Sequence, residues 1–481
     1  MIFTIFKNKI YSVMKKLIFL LVFLIPGTYA LNAQENDVTG SWLGSISIGS
    51  VQFRIVFNIT ENDEGILAAT MDSPDQGAKD IPTGKVSCTE DSLVIMAPGL
   101  MGEYRGKLVM KDSITGTWSQ AGRTYNLNLK RLEEAFSLNR PQEPEPPYPY
   151  MEENVSFKSE AGDFMMGGTL TIPEGEEPFP GVILISGSGS QNRDEEIFGH
   201  KPFKVLADHL SSNGIAVLRY DDRGIGQSAG NPLGATSADF AKDAYGAFKY
   251  LADRKETDNE KLGIIGHSEG GLIAFMMADS NKEIDFIISM AGPGTKGSTV
   301  LEDQSQHISR LNNVSEEVIK QNEEINGNIY RIMEKEENPT AGVNEINLFL
   351  REYLEKQGEA EEVVEQVMAN IHNTVNPSTY PWLRFFSMSD PNDYFPGIKC
   401  PVLAINGGKD CQVMAEKNID AITKGIMANG NENVTGMVFP ELNHMFQHSD
   451  TGLVDEYGDI EETMSPEVLE TILQWIKKKL K

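Results

Sequence analysis

The sequence predicts a chain of two folded parts: a small all-β domain, then an α/β domain whose doubly wound, mostly parallel sheet carries a helical cap insertion. Three observations lead there. Short alternating apolar runs separated by turn signals fill residues 38–132. A proline-rich stretch follows. Beyond it, apolar strands alternate with helical patterns of about ten or more residues.

The chain begins with a segment unlike the rest. Lys15 and Lys16 precede the apolar run 17–26, and small residues surround Ala30 and Ala33. Residues 1–33 therefore have the charged head, apolar middle and small-residue cleavage site of a secretory signal. The run of about ten residues is short of the roughly 20 that cross a bilayer, so no stable membrane span is expected once the signal is removed. An uncleaved anchor is the rival reading. Met14 offers a more usual signal start than Met1, and no cysteine lies near the cleavage region to carry a lipid. The mature protein is expected to be soluble and exported, periplasmic or extracellular.

Residues 34–135 read as an all-β accessory domain. Runs such as Val51-Gln52-Phe53-Arg54-Ile55-Val56-Phe57 and Gly106-Lys107-Leu108-Val109-Met110 alternate with turn signals at spacings of about ten residues, as in a small barrel or sandwich. No charged or aromatic constellation stands out, so a structural or substrate-positioning role is expected. The run Arg140-Pro141-Gln142-Glu143-Pro144-Glu145-Pro146-Pro147-Tyr148-Pro149 holds five prolines, which exclude a helix or central strand. It predicts a stiff, extended linker over 136–152.

The α/β part spans 153–481. Strands are predicted at 167–172, 181–185, 215–220, 262–265, 284–289, 402–406 and 434–439. Helices are predicted at 201–212, 237–253, 270–279, 415–427 and 466–480. Between 297 and 393 the alternation stops. That stretch is helical, acidic and rich in Gln and Asn, and reads as a cap over the C-terminal edge of the sheet, where open α/β sheets bind ligands.

The charge narrows the function. The 481 residues carry a net charge of -28 and a pI near 4.7. Such a surface repels phosphate backbones, so nucleic acid is not an expected partner. The three cysteines, Cys88, Cys400 and Cys411, are too few for a disulfide scaffold. Cys400 and Cys411 flank a predicted strand and should stand roughly 20 Å apart, whereas a disulfide needs about 7 Å.

The pattern Gly-x-Ser-x-Gly occurs twice. Gly226-Gln227-Ser228-Ala229-Gly230 follows the charged turn Asp221-Asp222-Arg223 and runs into Asn231-Pro232, which starts no helix. Gly266-His267-Ser268-Glu269-Gly270 follows the strand pattern Lys261-Leu262-Gly263-Ile264-Ile265 and leads into the apolar helix that begins at Gly271. A nucleophile elbow needs that strand–turn–helix setting. Its glycines remove side chains that would clash, and the helix aims N–H groups at developing negative charge. Ser268 is the candidate nucleophile, and Ser228 is not.

A serine hydroxyl needs a base to take its proton, and the base must itself be oriented. After such an elbow the partners follow in the order acid, then His. Asp410 stands just past the strand 402–406, in Gly407-Gly408-Lys409-Asp410, and is the candidate acid. Asp390 and Asp393 precede that strand and are weaker rivals. His444 follows the last strand through Pro440-Glu441-Leu442-Asn443 and is the candidate base, with His448 as its competitor. His200, His209, His307 and His372 have no partner pattern and read as surface or packing residues. No His, Cys and carboxylate cluster has metal-ligand spacing, and no cofactor motif is present, so neither is expected.

An oxyanion hole needs two N–H donors. One is expected from Glu269, the residue after the nucleophile. The loop Ser186-Gly187-Ser188-Gly189-Ser190 should supply the other, through Ser188 with Gly187 beside it. A phosphate-binding loop is the competing reading, but the Lys-Ser/Thr ending it requires is missing.

Three runs now carry a resemblance: Leu184-Ile185-Ser186-Gly187-Ser188-Gly189-Ser190-Gln191-Asn192-Arg193-Asp194-Glu195, Val217-Leu218-Arg219-Tyr220-Asp221-Asp222-Arg223-Gly224-Ile225-Gly226-Gln227-Ser228, and the Ser268 elbow. Over residues 150–481 the chain resembles bacterial α/β-hydrolase esterases, similar to the serine aminopeptidase and dienelactone hydrolase branches. The resemblance implies the α/β-hydrolase fold and a triad of Ser268, Asp410 and His444. It further implies cleavage of small short-chain acyl esters through an acyl-enzyme. Ser186 stands where many relatives carry a His, and the segment 222–224 reads as a structural brace of its turn. The N-terminal domain resembles accessory domains of exported relatives. Two other readings stay open. One is a peptidase or aminopeptidase, with acidic pairs such as Glu316-Glu317 and Glu361-Glu362 receiving a substrate amino group. The other is a non-catalytic binder whose β domain captures carbohydrate or lipid.

Overall fold

The computed structural model describes residues 37–48, 51–76, 78–120, 122–134 and 138–480; the segment read as an export signal lies outside them. The chain divides into two compact units that part between Leu138 and Asn139.

The first unit has the strands β1 (Gly40–Ile48), β2 (Val51–Glu61), β3 (Leu67–Ser73), β4 (Ala78–Pro82), β5 (Val86–Thr89), β6 (Ser92–Ala97), β7 (Gly102–Met110), β8 (Ser113–Gln120), β9 (Arg123–Asn126) and β10 (Leu129–Arg131). All pairings are antiparallel, in the order β4-β3-β2-β1-β10-β8-β7-β6-β5, with β9 on β8. This is one continuous sheet, a half-barrel rather than a sandwich, around a core of Trp42, Phe57, Tyr104 and Trp118. The strands bury alternate residues, as Leu93, Ile95 and Ala97 of β6 show. Gly106 and Gly116 let the Tyr104 ring lie flat, since a Cβ on either would meet its phenol oxygen at 2.5 Å.

The second unit contributes β11 (Tyr150–Lys158), β12 (Met165–Pro173), β13 (Phe179–Ile185), β14 (Ala216–Tyr220), β15 (Thr257–His267), β16 (Phe286–Met290), β17 (Val402–Gly407) and β18 (Val434–Phe439). They form one sheet in the order β11-β12-β14-β13-β15-β16-β17-β18. The pairs β11–β12 and β12–β14 are antiparallel, and the rest are parallel. Its helices are α1 (Pro202–Ser211), α2 (Ser237–Ala252), α3 (Glu269–Ser280), α4 (Gly297–Leu311), α5 (Glu316–Lys335), α6 (Pro339–Gln357), α7 (Glu361–Thr374), α8 (Tyr380–Met388), α9 (Ala415–Ala428) and α10 (Pro466–Lys479). Side chains of α1 and α10 fill the core on one face of the sheet, and those of α2, α3 and α9 fill the other. Strands covered on both faces are buried at every position and mostly apolar, as β14, β16 and β17 are. The stretch 297–393 holds five helices, α4 to α8, and no strand.

Two elements differ from expectation. The edge strand β11 was not anticipated, because its outer residues Met151, Glu152, Glu153 and Asn154 are exposed and polar enough to mask alternation. The segment expected as a stiff, extended linker is fastened to the second unit from Arg140 onward. Arg140 donates to the carbonyls of Phe198 (2.8 Å), Ile460 (2.9 Å) and Gly458 (3.0 Å), and Glu143 pairs with Lys201 at 2.6 Å.

Strand order positions the site. The chain leaves β13 toward α1 on one face and leaves the adjacent β15 toward α3 on the other. Loops that diverge in this way open a crevice at the strands' carboxyl ends.

Candidate active site

Ser268 lies at the crest of that crevice, between β15 and α3, with φ 51° and ψ -119°. Its neighbours leave room for nothing but glycine. A Cβ on Gly266 would stand 2.0 Å from the Gly270 carbonyl oxygen, and one on Gly270 would stand 2.2 Å from that of Ile185. The turn is tied to the sheet by the Ser268 N–H, which donates to the Met290 carbonyl at 2.8 Å.

Asp410 is buried beyond β17. Its Oδ1 accepts from the N–H groups of Gln412 (2.7 Å) and Val413 (2.9 Å), and its Oδ2 accepts from His444 Nδ1 at 2.7 Å. That bond fixes the ring so that Nε2 is the nitrogen left for chemistry. The turn carrying His444 is braced by Asn443, whose Oδ1 accepts from Met445 and Gln447 N–H groups. Ser268 and His444 line one cavity of about 550 Å³, together with the loop 187–191 and residues of α4 and α8. Ser268, Asp410 and His444 are thus brought into one neighbourhood.

The rivals are elsewhere. His448 is exposed and pairs with Glu462 at 2.8 Å, and Asp390 caps a local turn at Asn392. His200 is buried between Thr463 and the Tyr457 carbonyl. Ser228 is a brace, donating to the Asp221 carbonyl at 2.6 Å and accepting from Gly167 N–H at 2.9 Å. Among the described residues no group of three or more His, Cys, Asp or Glu is arranged to hold a metal ion.

The loop after β13 is gripped from behind by carboxylates that its sequence does not announce. Asp222 accepts from Ser186 Oγ at 2.9 Å and from Gln191 N–H at 2.8 Å. It therefore holds this loop, beyond its expected role within its own turn. Burial, seconded by the charges of Glu195 and Glu269, lifts its pKa from 3.8 to about 7. Gly187 runs so close to the elbow that a Cβ there would stand 3.1 Å from Ser268 Cβ. Its N–H donates to Glu195 Oε1 at 2.7 Å and is thereby engaged within the loop, and Ser188 beside it also lines the cavity. Glu269 N–H opens α3, where the first N–H groups have no partner within the helix.

The Glu269 side chain points away and is buried. It accepts from Ser237 Oγ (2.5 Å) and Trp382 Nε1 (2.9 Å) and is also hydrogen-bonded by the Ser188 side chain. Burial raises its pKa, and these donors oppose the rise. His267, the second residue of the motif, sits between Glu195 (2.9 Å from Nδ1) and the His444 carbonyl (3.0 Å from Nε2). Burial opposes its charge, but the Glu195 carboxylate, the His444 carbonyl and the charge of Asp410 together outweigh that effect and raise its pKa. No spacing rule marks Glu195, Asp222 or Trp382, whose roles arise from tertiary proximity. Among the residues lining the cavity, Glu195 is the one carboxylate, and there is no Lys or Arg.

The serine aminopeptidase S33 family matches residues 201–332. Esterase EstD of Thermotoga maritima is 31% identical over 280 residues, which cover 58% of this chain and 57% of the relative. The polyketide transferase claH of Penicillium crustosum is 28% identical over 203 residues, 39% of this chain and 61% of that one. Each of these two relatives is thus matched over less than two thirds of its length. Among solved structures, a Pyrococcus furiosus esterase has a TM-score of 0.42 at 16% identity, covering 73% of this chain and 100% of its own. Est1E of Butyrivibrio proteoclasticus has a TM-score of 0.41 at 14% identity, covering 68% of this chain and 98% of its own. The second unit has the α/β-hydrolase fold, and its sequence is similar to the S33 serine aminopeptidase family and to an esterase.

Proposed function

We propose that the protein is a serine hydrolase that cleaves short-chain carboxylic esters, with Ser268 as nucleophile, His444 as base and Asp410 as its orienting acid. The observation that carries this reading is a buried Asp410–His444 pair at 2.7 Å whose histidine shares a cavity with a serine on a strained turn. His444 Nε2 takes the Ser268 proton as Oγ attacks the ester carbonyl, and Asp410 offsets the charge that then forms on the imidazole. The oxyanion is held by the N–H groups of Ser188 and Glu269. Collapse releases the alcohol, protonated by His444, and leaves an acyl group on Ser268. Water, deprotonated by His444, then frees the acid and restores the serine.

Helices α4 to α8 act in this reading as a cap, since Val300, Leu301, Trp382 and Phe386 give the cavity apolar walls. With its sole carboxylate already engaged, that lining suits a neutral acyl group better than a free ammonium group. The match to the serine aminopeptidase family favours amide cleavage as the second reading. On the signal-like segment at 1–33, the protein is proposed to act outside the cytoplasm.

Hydrolysis of p-nitrophenyl acetate, butyrate and octanoate by the mature protein tests the proposal. Turnover should fall with chain length and vanish in Ser268→Ala. No turnover of any ester, with aminoacyl amides cleaved and Ser268 labelled by a fluorophosphonate, would favour the peptidase reading.

A further inference from the structure

We propose that Glu195 is a positioning residue for this site: with His267 it forms a buried ion pair that locks the oxyanion loop and the His444 turn into one register. The inference rests on the hydrolase reading above. Three contacts in series make the connection: Gly187 N–H to Glu195 Oε1 at 2.7 Å, Glu195 Oε1 to His267 Nδ1 at 2.9 Å, and His267 Nε2 to the His444 carbonyl at 3.0 Å. Both partners of the imidazole are acceptors, a carboxylate and a carbonyl. Opposite an ionised carboxylate, a neutral imidazole with its one N–H would set a lone pair against one of them, so the ring is doubly protonated.

The carboxylate is equally constrained. One of its oxygens, Oε1, serves both Gly187 and His267, while the residue is 4% exposed and its backbone lies at φ 51°. A non-glycine residue reaches that conformation only where its surroundings hold it. A glutamine at this position could satisfy only part of the chain of contacts. If its carbonyl faced Gly187 and His267 Nδ1–H, the neutral ring would turn a lone pair toward the His444 carbonyl. If its amide donated to Nδ1, the Gly187 N–H would lose its acceptor. Either way one catalytic segment is released from the other. Gly187 precedes the proposed donor Ser188, and His444 is the proposed base, so the pair governs the distance between them without touching substrate.

The test uses the full chain with ring-nitrogen-labelled histidine. NMR of the wild type at neutral pH should show His267 carrying both ring protons. Glu195→Gln should lose one of them and lower kcat by about 100-fold, the cost of misplacing a catalytic group by about 1 Å, with KM nearly unchanged. Glu195→Asp, which keeps the charge, should keep the imidazolium and recover part of kcat. A neutral His267 in the wild type, or wild-type kcat in folded Glu195→Gln, overturns the proposal. Should Glu195→Gln fail to fold, the wild-type spectrum and Glu195→Asp decide it. If the wild type turns over no ester, the ester reading fails, and the pair is judged by the spectrum and by the rate at which a fluorophosphonate labels Ser268.

Discussion

Asp410 is satisfied on both oxygens before any substrate arrives, by two backbone N–H groups and by His444 Nδ1. Replacing it with Asn keeps the shape but puts an amide donor where the imidazole also donates. The ring then favours the tautomer with its proton on Nε2, which cannot accept from Ser268. Asp410→Asn should lower kcat by about 10⁴-fold with little change in KM, as read by steady-state ester hydrolysis. Substitution at exposed His448 should leave both constants near the wild-type values. These positions were legible in the sequence because the chemistry demands an order: strand, turn and helix around Ser268, then an acid and a histidine after later strands. Glu195 and His267 were visible only as letters of a motif. Their pairing depends on where two loops meet, which local periodicity does not encode.

At the scale of the element, the loop 186–191 is held by acceptors on other segments rather than by its own turn chemistry. Asp222 grips both ends through Ser186 and Gln191, and its pKa is raised to about 7 by burial first and neighbouring carboxylates second. In the unfolded chain it titrates near 3.8, so between these values the unfolded state holds fewer protons and stability falls as pH rises. Asparagine can meet the same partners, with Oδ1 accepting from Gln191 and Nδ2 donating to the Ser186 hydroxyl. Thermal unfolding from pH 4 to pH 7 should therefore show Asp222→Asn gaining on the wild type, by a few degrees at the upper end; a constant difference would refute the assignment. Helix α8 is tied to the elbow by Trp382, whose indole N–H reaches Glu269. Trp382→Phe leaves that buried carboxylate one donor short and should raise KM severalfold for short esters, with kcat changing less. The core strands of the parallel sheet could be read from sequence since burial on both faces makes them apolar. The exposed edge β11 could not, nor could the polar start of β15 at Thr257, which pairs with Phe179.

For the whole molecule, the boundary between units was visible as a change of pattern, but proline content alone could not tell a spacer from a strap. Residues 140–143 act as a strap on the second unit. Arg140 supplies N–H groups to three carbonyls, and Gln142 receives the N–H groups of Thr463 (2.6 Å) and Met464 (3.1 Å) and donates to the Met464 carbonyl at 2.7 Å. One of the carbonyls belongs to Phe198, three residues past Glu195, so the strap also steadies the segment that follows the oxyanion loop. A chain beginning at Asn139 should fold and keep the ester turnover of the mature protein, because the site and its supports lie within that unit. One beginning at Tyr150 keeps every strand of the sheet but leaves those carbonyls and N–H groups without their partners. At about 1 kcal/mol for each hydrogen bond lost, it should unfold several degrees lower and lose kcat before it loses secondary structure. Circular dichroism melts beside p-nitrophenyl butyrate turnover separate the cases. Equal melting of the two chains would return the segment to the role of a passive tether.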